Sequence, residues 1–350
     1  MKILVTGGAG YIGSTVCSAL IDSGHTPIIL DSLVTGCEDF VKGHIFYKAD
    51  ISCYSTLEKI MHEHPDISCC MHFAARISVS ESVEVPLLYY TENVTKSIAL
   101  FSSLRKLGIK KIIFSSSASV YNVQDGFEVT EVSSVAPASP YARTKLAMEM
   151  VLEDFCNAGY FKGIALRYFN PIGADKKMRT GPFVKDPSHI IGKLTNVAIG
   201  KEPTFYIFGS DWPTRDGTAI RDYIHIWDLA MAHVVAAEGF DDAVVGKNFD
   251  IINLGSGNGI TVNEFVQAFE RVHGSPLNVS KAPRRQGDVV GAFANCSKAN
   301  AVWSWKAKLS IDDGISDMLC WTNKFRSCSH SVNVECLSAF SVPQGSADDA

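Results

Sequence analysis

The chain has 350 residues, 46% of them hydrophobic and 20% charged, an ordinary globular composition with enough length for a large core or two domains. A net charge of −5 and a pI near 6.1 leave no general basic field for nucleic acid or a membrane surface. No run approaches the roughly 18 apolar residues of a membrane span, and the opening "MKILVTGGAG" lacks the apolar core and cleavage site of a signal peptide, so a cytoplasmic location is expected.

The first element is the strand "KILVT", and it runs straight into "VTGGAGYIG". Gly7, Gly10 and Gly13 are three apart, and Gly8, Gly10 and Gly13 also fit G-x-G-x-x-G. Alone such a pattern is a Gly-rich turn. Between a strand and a helix, here 11–23, it is a phosphate cradle: glycine lets the backbone approach a pyrophosphate, and the helix end supplies N–H donors and a positive dipole. The strand "PIILD" ends at Asp31, 18 positions after Gly13. A carboxylate there can bind both ribose hydroxyls of NAD and would repel the 2′-phosphate of NADP. Residues 32–41 hold Glu38 and Asp39 and no Lys or Arg, so NAD is favoured. Asp50, after the third apolar run, suits an adenine edge but is equally a cap.

"DISCCMHFA" and "KIIFSSS" are the next strands. Cys69 and Cys70 are adjacent and face opposite sides of their strand as small buried residues. The ten cysteines include no Cys-x-x-Cys spacing and none lies by a His cluster, so reduced thiols and no metal site are expected. The serine run ends a strand whose carboxyl end lines the ligand crevice of such a fold, which places Ser117 within reach of a sugar oxygen. "YARTKLAMEMVLEDFC" is a helix and "GIALRYFN" a strand. Strands and helices alternating at this spacing, with near-continuous apolar strands, predict an α/β fold with a doubly wound, Rossmann-type parallel sheet.

After "RYFNPIGA" the composition changes. Residues 175–217 are rich in Gly, Pro, Asp and Lys, with a helix near 190–199. "RDYIHIWDLAMAHVVAAE" reads as a strand and helix returning to the first domain, and 251–325 carry further short elements. The expected division is an NAD-binding domain over 1–174, rejoined by 222–250, a smaller, partly interleaved α/β substrate domain over 175–328, and a polar tail over 329–350.

"SPYARTK" sets Tyr141 one helical turn before Lys145. A phenol titrates near 10, and a base at neutral pH needs a fall of ~3 units, about 4 kcal/mol. A solvated pair at this spacing offers only ~0.5 kcal/mol. The pair is therefore chemical only in a closed cleft, beside a positively charged nicotinamide.

Taken in order, "VTGGAGYIG", "HFAA", "ESVEVPLLYYTENV", "FSSSASVY", "SPYARTK", "LRYFNPIGA", "GTAIRDYIHIWDLAMAH", "NLGSG" and "APRRQGD" resemble the extended short-chain dehydrogenase/reductase family, and within it the UDP-glucose (UDP-galactose) 4-epimerases, from residue 1 to about 321. The resemblance implies Tyr141 as base, Lys145 on the nicotinamide ribose and Ser117 on the sugar 4-hydroxyl. It implies cofactor contacts at Tyr11, Ile12, Asp31, Ser32, Asp50, Ile51, Phe73, Ala74, Asn93 and Phe169. Nucleotide-sugar contacts fall on Asn170, His189, Phe208, Arg221, Arg285 and Asp288. It also implies a homodimer paired through helices near 87–107 and 141–158, on a small-molecule UDP-sugar substrate.

Four departures stand out. Ser32 replaces a common Asn, Arg76 and Ile77 occupy a stretch where many members carry a Lys, and "FVKDPSHIIG" is one residue short with Gly192 for a usual Pro. Ala292 lies where some members place a bulky Tyr at the sugar 2-position, so N-acetylated sugars are expected to fit. A 4,6-dehydratase would need an acid pair just after the serines, where this chain has Ala118 and Ser119, with no acid until Asp125. A UDP-sugar-acid 4-epimerase or decarboxylase stays open, as does a non-catalytic NAD sensor, although a sensor needs no base.

Overall fold

A computed structural model describes residues 1–122, 126–184, 186–285 and 288–329. Asp125 and the tail from residue 330 lie outside them, as do Lys185 and two residues of "APRRQGD".

The first lobe comprises β1 (Lys2–Thr6), α1 (Tyr11–Asp22), β2 (Thr26–Asp31), β3 (Ile45–Lys48), α2 (Tyr54–Glu63), β4 (Ile67–His72), α3 (Val79–Glu84), α4 (Pro86–Tyr90), α5 (Lys96–Lys106), β5 (Lys111–Ser115), the short β6 (Glu128–Val129), α6 (Pro140–Asn157) and β7 (Lys162–Tyr168). The chain continues through β8 (Asn170–Ile172), α7 (Ile190–Ala198), β9 (Phe205–Phe208), β10 (Ile220–His225), α8 (Ile226–Glu238), α9 (Phe240–Ala243) and β11 (Phe249–Leu254). It ends with β12 (Gly259–Thr261), α10 (Val262–His273), β13 (Val279–Ala282), β14 (Phe293–Ala294), α11 (Ser297–Trp303) and α12 (Ile311–Ser329).

Seven strands form one parallel sheet in the order β11-β7-β5-β4-β1-β2-β3. Both faces are covered, as the unbroken apolar strands require. In β1, Ile3 and Val5 join one core cluster and Leu4 the other, the two-residue period of a strand. Cys69 and Cys70 divide the same way. Each fully buried Ile or Leu contributes about 1.5–3 kcal/mol.

The second lobe is built on the three-stranded sheet β12-β10-β8, the pair β13-β9 and the helices α7, α10 and α12 around a third core. β14 pairs with β6, bringing residues near 293 back to the first lobe. Helix α10 begins at a capping box: Thr261 accepts from the Glu264 N–H while Glu264 accepts from the Thr261 N–H.

The sequence reading returned the strand and helix of 222–250 together to the first lobe. Only the helix does so: α8 packs along α1, whereas β10 pairs with β8 and β12. The seventh strand of the large sheet is β11, beyond β7. In its three-stranded sheet the buried Asp222 of β10 finds the N–H groups of Ser256, Gly257 and Ala294 that its carboxylate needs.

Between α4 and α5 the helix makes one π turn, Thr91–Thr95, which holds Asn93 inward at 3% exposure. Among the described residues no helix is long and apolar enough to cross a membrane.

Candidate active site

The glycine loop leaves β1 in a turn that only glycine tolerates. Gly7 has φ +73°, and a Cβ on it would lie 2.6 Å from the Ala74 backbone nitrogen. A Cβ on Gly13 would lie 2.3 Å from the Gly7 oxygen. Gly10 caps α1 without any side-chain bond, so the first N–H groups of the helix remain for a ligand. The bare surface is a backbone cradle of the kind a pyrophosphate needs, and the residues fit a dinucleotide.

Asp31 ends β2 at 8% exposure, accepting from the N–H of Ala9 (3.0 Å) and of Leu33 (2.8 Å). Burial pushes its carboxyl pKa up, and those two bonds oppose the rise. Ser32 Oγ accepts weakly from the Val34 N–H, at 3.4 Å. Asp50 is both a cap and an ion-pair partner: it accepts from the Ser52 N–H and hydroxyl and holds Lys96 Nζ at 2.6 Å. Ile12 and Ile51 put their side chains into the cores, leaving backbone for a ligand. The Tyr11 hydroxyl donates to the Gly173 carbonyl at 2.7 Å, stitching the first helix to the second lobe. The Phe73 ring lies 4.9 Å from that of His233, and Ala74 packs on the second core. Asn93 braces the neighbouring loop: it accepts from the Arg76 N–H (2.8 Å) and donates to the Arg76 carbonyl (3.0 Å) and to Thr144 Oγ1 (3.1 Å).

Tyr141 and Lys145 sit at the head of α6. Ser139 caps that helix by accepting from the Ala142 N–H, with Pro140 at its first position. Lys145 is 3% exposed, and its Nζ donates to the Ser115 carbonyl at 2.8 Å and lies 6.0 Å from the Tyr141 ring centre. The Ser117 hydroxyl lies near enough to the Tyr141 phenol to oppose the rise that burial causes in its pKa. Ser117 in turn accepts from the N–H (3.2 Å) and hydroxyl (2.9 Å) of Ser119. Ser117, Tyr141 and Lys145 therefore meet at the carboxyl end of β5. Burial pushes the phenol above its usual 10, against the Ser117 hydroxyl. Burial pulls Lys145 down to about 8, against the charge of Glu149.

The second lobe supplies a further wall. The Arg221 guanidinium donates to three carbonyls, those of Ile220 (2.7 Å), Val290 (2.8 Å) and Val289 (3.2 Å). Asn170 Nδ2 donates to the Asp222 carbonyl at 2.9 Å. Arg285 lies over the Phe208 ring, 4.6 Å from its centre, and its Nε donates to Asp288 at 3.1 Å. Phe169 and Ala292 share a small cluster with Val120 and Tyr121, next to Tyr141 and Lys145. His189 is solvent-exposed at the head of α7, a helix that packs on β9.

Sequence reasoning missed two groups. The buried Asp222 accepts from the N–H groups of Ser256 (2.8 Å), Gly257 (3.1 Å) and Ala294 (3.1 Å), and so knits "NLGSG" to β10 and β14. Behind Lys145, Glu149 and Arg167 form a buried ion pair. The only signal for Glu149 is its spacing, four beyond Lys145 and eight beyond Tyr141.

Residues 3–255 match the model of the NAD dependent epimerase/dehydratase family. The chain is 39% identical over 331 residues to the UDP-glucose 4-epimerase of Bacillus subtilis, covering 92% of this chain and 96% of that one. Its fold superposes on the UDP-glucose-4-epimerase of Stenotrophomonas maltophila, solved with bound NAD and formylated UDP-arabinopyranose, with a TM-score of 0.90 at 38% identity, covering 94% of this chain and all of the other. The UDP-Glc/GlcNAc 4-epimerase of Campylobacter jejuni gives a TM-score of 0.78 at 33% identity, over 92% of this chain and 99% of that one.

Proposed function

The chain belongs to the NAD-dependent epimerase/dehydratase family, and from that premise we propose that it is an isomerase that inverts C4 of UDP-hexoses, interconverting UDP-galactose and UDP-glucose. NAD held by the glycine cradle and Asp31 would supply a hydride acceptor and donor and, when oxidised, a positive charge. Everything else is done by the chain. Gly7, Gly10 and Gly13 cradle the pyrophosphate, and Asp31 takes the adenosine ribose. Tyr141 removes the O4 proton as the C4 hydride leaves, so that the sugar becomes a 4-ketone. Lys145 keeps a positive charge beside the phenolate, and the Ser117 hydroxyl orients O4 by bonding it directly. Arg221 and Arg285 hold the diphosphate while the 4-keto sugar turns its other face, and the phenol then returns the proton to O4. No net oxidation occurs.

The observation that carries this reading is the meeting of Ser117, Tyr141 and Lys145 at the sheet end beside the glycine cradle. Within the protein alone burial raises the phenol's pKa, so a fall of more than ~3 units must come from Lys145 together with the bound cationic ring. The test is turnover of UDP-galactose by the NAD-loaded protein and by Tyr141→Phe. Wild-type activity lost in the variant is expected, and equal activity in both excludes the mechanism.

Two finer readings go with it. Ala292 leaves room at the sugar 2-position, so UDP-N-acetylhexosamines are substrates too; negligible turnover of UDP-GlcNAc beside brisk turnover of UDP-galactose would refute this. The second is a homodimer. α3 to α6 leave Val79, Val83, Leu87, Tyr90 and Met150 exposed, Leu87 at 80%, and pairing of two copies through this face would cover them.

A further inference from the structure

Tyr141, Lys145 and Glu149 are spaced four apart and form one stripe along α6. Glu149 is 2% exposed and is held from two directions. Arg167 on β7 grips it with both teeth of its fork, Nε to Oε1 at 2.9 Å and Nη2 to Oε2 at 2.5 Å. The Ser116 hydroxyl donates to Oε1 as well. Ser116 lies between Ser115, whose carbonyl takes the Lys145 ammonium, and Ser117, whose hydroxyl acts on the Tyr141 phenol. One carboxylate thus ties the strand end that carries the serines to the helix that carries the base. Arg167 is itself set over the Tyr121 ring, 4.8 Å from its centre, and the Tyr121 hydroxyl donates to Asn253 Oδ1 at 2.6 Å.

A buried ion pair is poor value for stability, since an apolar pair of equal volume commonly serves as well. The placement of this one, touching the serine run and facing the lysine, points to the reaction. We propose that Glu149 is a positioning residue for epimerisation: it locks residues 115–117 against α6 and holds the Lys145 ammonium in its charged form. This role rests on the function proposed above.

The charge of Glu149 works on Lys145 against burial, which alone pulls the ammonium down. The other ionisable groups around Lys145 do not replace it. His72 on β4 is buried and neutral. Tyr141 and Tyr168 stay protonated in the free protein, their pKa values raised by burial. Arg167 is paired to Glu149. Glu81 and Tyr89, from α3 and α4, face Arg76 and each other. Glu92 in the π turn pairs with Lys96, and Asp250 on β11 pairs with Lys247 and Lys298. Removing the negative charge of Glu149 lowers the ammonium's pKa, so Lys145 loses its proton at a lower pH.

The experiment is the pH dependence of kcat for UDP-galactose with the NAD-loaded protein, in wild type, Glu149→Gln and Ser116→Ala. Gln keeps the shape and one acceptor but not the charge. Its alkaline limb should fall about one pH unit earlier than wild type. Ser116→Ala, which keeps the charge and cuts the strap, should lower kcat about tenfold with the limb unmoved. Active Glu149→Gln with the wild-type limb overturns the proposal at any rate. A wild type that does not turn over UDP-galactose overturns the reaction itself and this role with it. Should Glu149→Gln fail to fold because Arg167 is stranded, Glu149→Asp, which keeps the charge but draws it back from Ser116, should lower kcat with the limb unmoved, and wild-type kcat in that variant overturns the proposal.

Discussion

Gly291 offers the sharpest test of the substrate wall. Its φ is +110°, and a Cβ there would lie 1.8 Å from the Ile220 oxygen and 2.1 Å from Arg221 Nη1. Carbon contacts are comfortable at about 3.5–4.0 Å, so Gly291→Ala must move either the segment near 290 or the guanidinium. Either shift breaks the clasp of Arg221 on the Val289 and Val290 carbonyls. The backbone strain is about 1–3 kcal/mol, and displacing the Ile220 carbonyl adds to it, so the kinetics are read on a variant whose cooperative urea transition shows that it folds. A displaced Arg221 loses a charge-assisted bond to the diphosphate worth about 1.5–3 kcal/mol, and KM for UDP-galactose should rise about 10- to 150-fold. If the bond is held equally in ground and transition states, kcat stays within about threefold. Bound NAD, measured by release on denaturation, should be unchanged, because the glycine cradle is untouched. A folded variant with wild-type KM, or one that loses kcat at unchanged KM, would refute the argument.

Tyr141→Phe removes the base and should cost about 10²–10⁴-fold in kcat while leaving NAD bound, checked by turnover alongside cofactor content. Ala292→Tyr should suppress UDP-GlcNAc turnover far more than UDP-galactose turnover, because the added ring fills the 2-position; equal losses on both sugars would count against that pocket. His72, bonded to Thr6 Oγ1 (2.7 Å) and Ser97 Oγ (2.8 Å), is pushed by burial down to about 3. A base lowered on folding contributes stability that is full above its unfolded value near 6.5 and fades as pH falls toward 3. His72→Gln should therefore remove about 1.5 kcal/mol of the stability lost between pH 6.5 and 5, measured by urea unfolding at both, and parallel losses in both proteins would show that the imidazole is not the source. Leu87→Asp should drive the protein to monomer in sedimentation if α3 to α6 form the dimer face, and an unchanged mass places any dimer elsewhere.

The glycine loop, Asp31 and the Tyr141–Lys145 spacing were legible because each is local: a strand end, a turn and one helical period fix them before any tertiary contact forms. The seven parallel strands were legible for the same reason, as apolar runs at regular spacing. Glu149 and Arg167 were not, because a charge in a sequence looks solvated until its partner, 18 residues away, arrives on the next strand. The apolar residues of β10 suggest a strand of the first lobe, and only its pairing with β8 and β12 and the bonds of Asp222 to the N–H groups of Ser256, Gly257 and Ala294 show where it is at home. Asp50 was readable as a cap or as a ligand residue, and the structure gives it a cap and Lys96 besides.

The π turn at Thr91–Thr95 has a consequence for how this chain can vary in length. It inserts one residue into what would be a regular helix from 86 to 106, and one residue rotates everything beyond it by about 100°. Asn93 reaches both Arg76 and Thr144 because of that extra residue. A single deletion here would straighten the helix, swing Asn93 away from its loop and turn the outer surface of α5 by a quarter of a revolution. Gaps should therefore be rare between residues 86 and 106, where a deletion does more harm than a substitution.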